Sequence, residues 1–196
     1  MRSKLSWIII ILGTLVMVVV MSITGKPLKT PETPSGIIAL ELAGNKAEVE
    51  EVLTAWGFPF FANPEGRARG FRSMAAVFGH TGAKIKAAKQ NTYYDFIFIL
   101  FYTALFYMLC KATVRWLNNQ GHTTFLGTFL SKAVIVSAFL DVIENTGMLL
   151  SLSGNISDGS AAITFIASII KWSIVAITIL YLLIFGIYFG IYSRRK

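Results

Sequence analysis

The chain of 196 residues has little of what catalytic and disulfide-built proteins depend on. It holds one cysteine, Cys110, which excludes a disulfide framework, a CxxC redox pair and a cysteine-based zinc site. It holds two histidines, His80 and His122, far apart in the chain, so no histidine-rich metal centre is expected. Charged residues make up only 14%, against about 25% in an ordinary soluble domain. That scarcity excludes a disordered or coiled-coil chain. No cofactor-binding motif stands out. Gly79-His80-Thr81-Gly82-Ala83-Lys84 has some likeness to a phosphate loop but lacks the Walker spacing and the following Ser/Thr.

Apolar residues, in contrast, are abundant: 55% of the chain, with a mean hydropathy of +0.63. A globule of this size could not bury so much apolar surface. The pattern predicts an all-α integral membrane protein, a four-helix transmembrane bundle. Residues 1–24 form the first span, 25–91 an extracytoplasmic cap, and 92–196 the remaining three spans, at about 94–110, 130–152 and 161–189. Each span comes close to or exceeds the ~20 residues that cross a ~30 Å hydrocarbon layer. The run Leu5 to Ile23 follows a basic start like that of a signal peptide. It is longer than such an h-region and lacks a small-residue cleavage site, so it reads as an uncleaved span.

The net charge of +8 is topogenic in this setting and gives no reason to expect nucleic acid. Arg2, Lys4, Lys111, Arg115, Lys132, Arg194, Arg195 and Lys196 all fall on one side of the four spans, with no acidic residue among them. The positive-inside rule then places both termini in the cytoplasm of a plasma membrane, the inner membrane in a bacterium. The expected partner is the lipid bilayer. Gly186-x-x-x-Gly190 permits close helix packing, within the chain or in a homo-oligomer.

The cap is expected to begin with a proline-rich linker, Gly25 to Pro34, followed by a short helix from Ile37 to Ala43. A second, amphipathic helix starts at Asn45. Glu48 completes a capping box, Val49, Val52, Leu53 and Trp56 line one face, and Gly57 ends it. This helix either caps the bundle or rests on the outer leaflet; in a third reading it forms a lid carrying Glu41 over a site between the spans. Phe58-Pro59-Phe60-Phe61 reads as an interfacial loop. The basic stretch with Arg67, Arg69, Arg72, Lys84, Lys86 and Lys89 reads as a solvated face or an attractor of anionic headgroups.

The informative residues are polar and lie within the spans, where an ionisable group costs from ~2.5 kcal/mol upward. Asp141, Glu144, Asn145 and Met148 recur at i, i+3, i+4, i+7 and form one stripe on the third span. Asp95 and Tyr102 share a face of the second span, and Thr164, Ser168, Lys171 and Thr178 a face of the fourth. Asp141 lies 11 residues from Leu152 and Lys171 lies 10 from Ala161, so both sit about 15 Å below the outer edge. Lys171 is expected to meet Asp141 or Glu144. Because Asp95, Asp141 and Glu144 outnumber Lys171, Glu144 or Asp141 is expected to be protonated or cation-bound, unless a base such as Arg72 folds in.

Leu40-Glu41-Leu42-Ala43-Gly44, Asp95-Phe96 and Asp141-x-x-Glu144-Asn145 together resemble a group of uncharacterised bacterial four-span membrane proteins. The likeness runs from about Ile37 to the fourth span. It implies the same topology and groups Glu41, Asp95, Asp141, Glu144 and Asn145 as one constellation, but implies no activity. Three functions follow from the polar cluster. It is a site for a small molecule or lipid headgroup opening to the outer leaflet, a structural clasp in an accessory subunit, or part of a proton- or cation-coupled transport component.

Overall fold

The structure, a computed structural model, describes residues 2–58 and 74–193. Among them there are six α-helices and no strand: α1 (Arg2–Gly25), α2 (Ile38–Glu41), α3 (Lys46–Ala55), α4 (Met74–Asn119), α5 (Phe125–Leu152) and α6 (Asp158–Ser193). A short 3-10 turn, Lys26–Leu28, follows α1, where Pro27 suits the first turn. Four helices are long and apolar enough to cross a membrane, over Lys4–Leu28, Gly82–Asn119, Phe125–Leu152 and Asp158–Tyr188. Their outward faces are apolar, with Leu12 and Val19 on α1, Phe139 on α5 and Ile163 and Leu183 on α6 all more than half exposed. Contiguous apolar surface on this scale needs an apolar surround.

α4 is much longer than the apolar run inside it. It starts at Met74, twenty residues before Tyr94, and is 46 residues long. Its first part is rich in alanine and lysine and has no proline, so the helix continues through Gly79 and Gly82 where hydropathy has already fallen. Gly79 to Lys84 is accordingly helical and not a phosphate loop. Hydropathy marks the part that can cross a membrane, and helix propensity marks where the helix begins.

The long helices stand in a row. α1 packs on α4, α4 on α5 and α5 on α6, while α4 and α6 meet only slightly. Small residues set the close approaches: Gly13 lies against the Phe101 ring, Gly127 against Tyr181, and Gly147 against Thr164. α1 is also tied by a buried amide, since Asn91 Nδ2 donates to Met21 O at 3.1 Å and to Thr24 Oγ1 at 2.7 Å. Asn91→Ala should lower the unfolding temperature in detergent by about 2–4 °C, the loss of about 1 kcal/mol of hydrogen bonding in a chain of this size. An unchanged transition by circular dichroism would show that apolar packing alone holds α1.

Residues 26–58 pack on the end of the row where α5 finishes and α6 begins. Leu40, Val49, Leu53 and Trp56 join Leu28, Ala88, Met148, Leu152 and Ala161 in one buried apolar cluster. The expected face of α3 is thus the buried one, with Val52 partly covered. Asn45 Oδ1 accepts from Glu48 N at 3.0 Å, as in a capping box. Glu48 Oε2 reaches one residue further out than the motif requires, accepting from Gly44 N at 2.7 Å. At the other end Gly57 takes φ 76°, a left-handed conformation that glycine adopts without strain. Phe58 N then donates to Leu53 O at 2.8 Å and Gly57 N to Thr54 O at 2.8 Å, the Schellman pattern. The Trp56 indole donates to Leu28 O at 3.0 Å and to Thr33 Oγ1 at 3.1 Å, which fastens α3 to the linker. Lys46 N donates to Asp158 Oδ1 at 2.9 Å and fastens α3 to the start of α6. Pro59-Phe60-Phe61 of the expected interfacial loop and the basic residues Arg67, Arg69 and Arg72 lie outside the described residues, as do Arg194, Arg195 and Lys196.

Candidate functional site

The polar residues of the long helices converge on Lys171. Its ammonium donates to Glu144 Oε1 at 2.8 Å and to Asp141 Oδ1 at 3.0 Å. Of the two partners expected from depth, both are engaged. Asp141 and Glu144 are three residues apart, so one turn of α5 presents both to the same ammonium. Tyr102 on α4 donates its hydroxyl to the other Asp141 oxygen, Oδ2, at 2.7 Å. Asn145 Nδ2 donates to Asp95 Oδ2 at 2.7 Å, which joins α5 to α4.

Glu41 completes the group. It comes from the four-residue helix α2, outside the long helices, and its Oε2 lies 3.8 Å from Lys171 Nζ. The Trp172 indole donates to the same oxygen at 3.2 Å. The Lys171 ammonium also lies 5.0 Å from the Trp172 ring centroid, within cation–π range. All seven residues singled out from sequence gather in one region: Glu41, Lys171, Asp141, Glu144 and Tyr102 form one bonded network, and Asp95 and Asn145 form a bonded pair beside it.

Sequence reasoning missed Trp172 as a member. It was not among the residues singled out, and it is 46% exposed. Its adjacency to an intramembrane lysine was the one available signal. Ser137, one turn before Asp141 on the same face of α5, is fully buried with its hydroxyl donated to Val134 O at 2.8 Å.

The network is closed in this conformation. Glu144 and Asn145 have no exposure, Asp141 has 3%, Lys171 5% and Glu41 8%. Asp95 and Trp172 are its less buried members. Grooves elsewhere on the helices are apolar and are lined by other residues. One of about 260 Å³ lies between α4 and α5 around Thr103 and Ala138, and one of about 420 Å³ lies between α4 and α6 around Trp116 and Gly186. Gly186 has open space where a Cβ would stand, so it makes no close helix contact among the described residues. No group of three or more His, Cys, Asp or Glu residues suited to a metal ion is present among the described residues.

Chemically, the arrangement holds an ammonium in a ring of carboxylates with one aromatic face. Lys171 is already committed to carboxylates, so it does not present a free positive charge to an anion. No protein-family model, curated protein or solved structure matches the chain.

Proposed function

We propose that this chain is a multi-pass membrane protein whose buried carboxylate–lysine cluster is a binding site for a small molecule or lipid headgroup, gated by α2. In this reading the cap, with α2 and α3, lies outside the cytoplasm, and both termini lie inside. The charge pattern supports that orientation. Lys111 and Arg115 near the end of α4 and Lys132 near the start of α5 are at the end of the row away from α2 and α3.

One observation carries the proposal, namely the presence of Glu41 in the cluster. A clasp between α5 and α6 is complete with Lys171, Asp141 and Glu144. A further carboxylate brought in from a four-residue helix of the cap adds like charge to a buried site, which costs free energy unless the residue has another use. A lid has that use. α2 is only four residues long and its Ile38 is 38% exposed, so lifting it uncovers one core side chain of its own, Leu40.

Native mass spectrometry after gentle extraction tests this. The wild-type chain should retain one lipid or small-molecule adduct, and Glu41→Ala should lose it while unfolding at an unchanged temperature. A wild-type chain without any adduct, exposed to host lipid extract, would leave the clasp. The complete burial of Lys171 and Glu144 favours that second reading, an accessory subunit in which the cluster sets helix register.

A further inference from the structure

Charge in the cluster is unbalanced. Glu41 on α2 and Asp141 and Glu144 on α5 surround a single ammonium, Lys171 on α6; Asp95 on α4 stands near them, bonded to Asn145, and the Tyr102 hydroxyl is the remaining titratable group of the cluster among the described residues. With every carboxylate ionised the described cluster carries a net charge of −3, from four acids and one base. Each uncompensated charge in such a setting costs several kcal/mol.

A second observation is independent of that count. Three oxygens, Glu144 Oε2, Asn145 Oδ1 and Ser168 Oγ, are buried and have no hydrogen-bond partner among the described residues. All three side chains belong to residues with no exposure. α5 and α6 run antiparallel, with Gly147 against Thr164 and Glu144 against Lys171. Ser168 lies between Thr164 and Lys171 on α6, so it is level with Glu144 and Asn145. The Asn145 amide nitrogen donates to Asp95, and its oxygen can only accept. The Glu144 oxygen is an acceptor when ionised, and the Ser168 hydroxyl supplies one hydrogen at most. The group is thus short of positive charge and of donors, where buried polar groups are normally satisfied.

We infer that Glu144 Oε2, Asn145 Oδ1 and Ser168 Oγ form a binding site for a small monovalent cation, Na⁺ or a proton, which offsets the acidic excess of the cluster. Hard cations take oxygen ligands. One free carboxylate oxygen with two neutral oxygens matches a single positive charge. A proton needs only the Glu144 oxygen and would then be donated to a neighbouring acceptor. The site shares the cluster of the proposed gated site and rests on that reading only in taking the cluster as a place where something binds.

The test follows the unfolding temperature of the purified full chain by tryptophan fluorescence. NaCl is titrated against choline chloride at constant ionic strength, at several pH values between 6 and 9. If Na⁺ is the ligand, the temperature should rise saturably with NaCl, by about 3–6 °C at ten times the dissociation constant. If a proton is the ligand, it should rise as pH falls and ignore the choice of cation. Glu144→Gln, close to isosteric and uncharged, should abolish either response. Ser168→Ala should weaken the Na⁺ response about tenfold and leave a proton response in place, and it gives a readout should Glu144→Gln fail to fold. A wild-type transition indifferent to both NaCl and pH overturns the inference, as does a full response in Glu144→Gln. An adduct that depends on Glu41 and not on cation or pH would overturn it too, while leaving the gated site standing.

Discussion

Replacing Lys171 by Met should prevent the chain from folding stably. Lys171 is 5% exposed and is the shared partner of Asp141, Glu144 and Glu41. Its removal leaves these carboxylates facing one another with no counter-charge among the described residues. Breaking a buried pair by deleting one partner costs about 3–5 kcal/mol. That is a large part of the roughly 5–15 kcal/mol by which folded domains are stable. The expected result is loss of the monodisperse species in detergent and a strong fall in membrane yield. Adding Asp141→Asn and Glu144→Gln to Lys171→Met should restore folding, because neutral polar groups at the same positions can hydrogen-bond without charge. The restored variant then separates the two functional readings. Folding regained without the host phenotype supports a binding site, and folding and phenotype regained together support a clasp. A Lys171→Met chain that folds normally would show that the carboxylates are not ionised around it.

Trp56→Ala should have the second large effect, confined to the cap. Trp56 has no exposure and is the largest side chain in the apolar cluster joining α3 to the ends of α4, α5 and α6. Truncating a buried tryptophan costs about 3–5 kcal/mol, through lost burial and the cavity left behind. The hydrogen bonds to Leu28 and Thr33 go with it. Limited proteolysis should then cut within residues 29–58 while the long helices remain protected. Trp56→Phe keeps a six-membered ring and loses the pyrrole part with its donor, a smaller loss than truncation to alanine, so residues 29–58 should stay more resistant than in Trp56→Ala. Equal protection of wild type and Trp56→Ala would mean that α3 is held by Asp158 and the backbone instead.

Much of the site was legible because helices impose a period. Asp141, Glu144 and Asn145 had to share a face of α5, and the depth of Lys171 had to match theirs, since both follow from rise per residue and distance to a helix end. Asn45, Glu48 and Gly57 marked the ends of α3 for a similar reason: caps are local, so the residues that satisfy them are neighbours in sequence. Glu41 was singled out as a lid residue, yet neither its approach to Lys171 nor its bond from the Trp172 indole follows from any spacing. The contact joins residues 131 apart and depends on where α2 docks. The tie from Asn91 to the end of α1 was equally hidden, because an asparagine beside an apolar run carries no mark of its partner.

The sequence by itself determined that the chain forms long apolar helices, which face of each carries the polar groups and how deep those groups lie, because these properties are set within one helix. Only the tertiary structure decided that the helices stand in a row, that four carboxylates from α2, α4 and α5 gather near one lysine of α6, and that three buried oxygens level with it have no partner among the described residues. Those outcomes depend on how separate elements pack. Packing is settled by close contacts such as Gly147 against Thr164, which no periodicity within a single helix can specify.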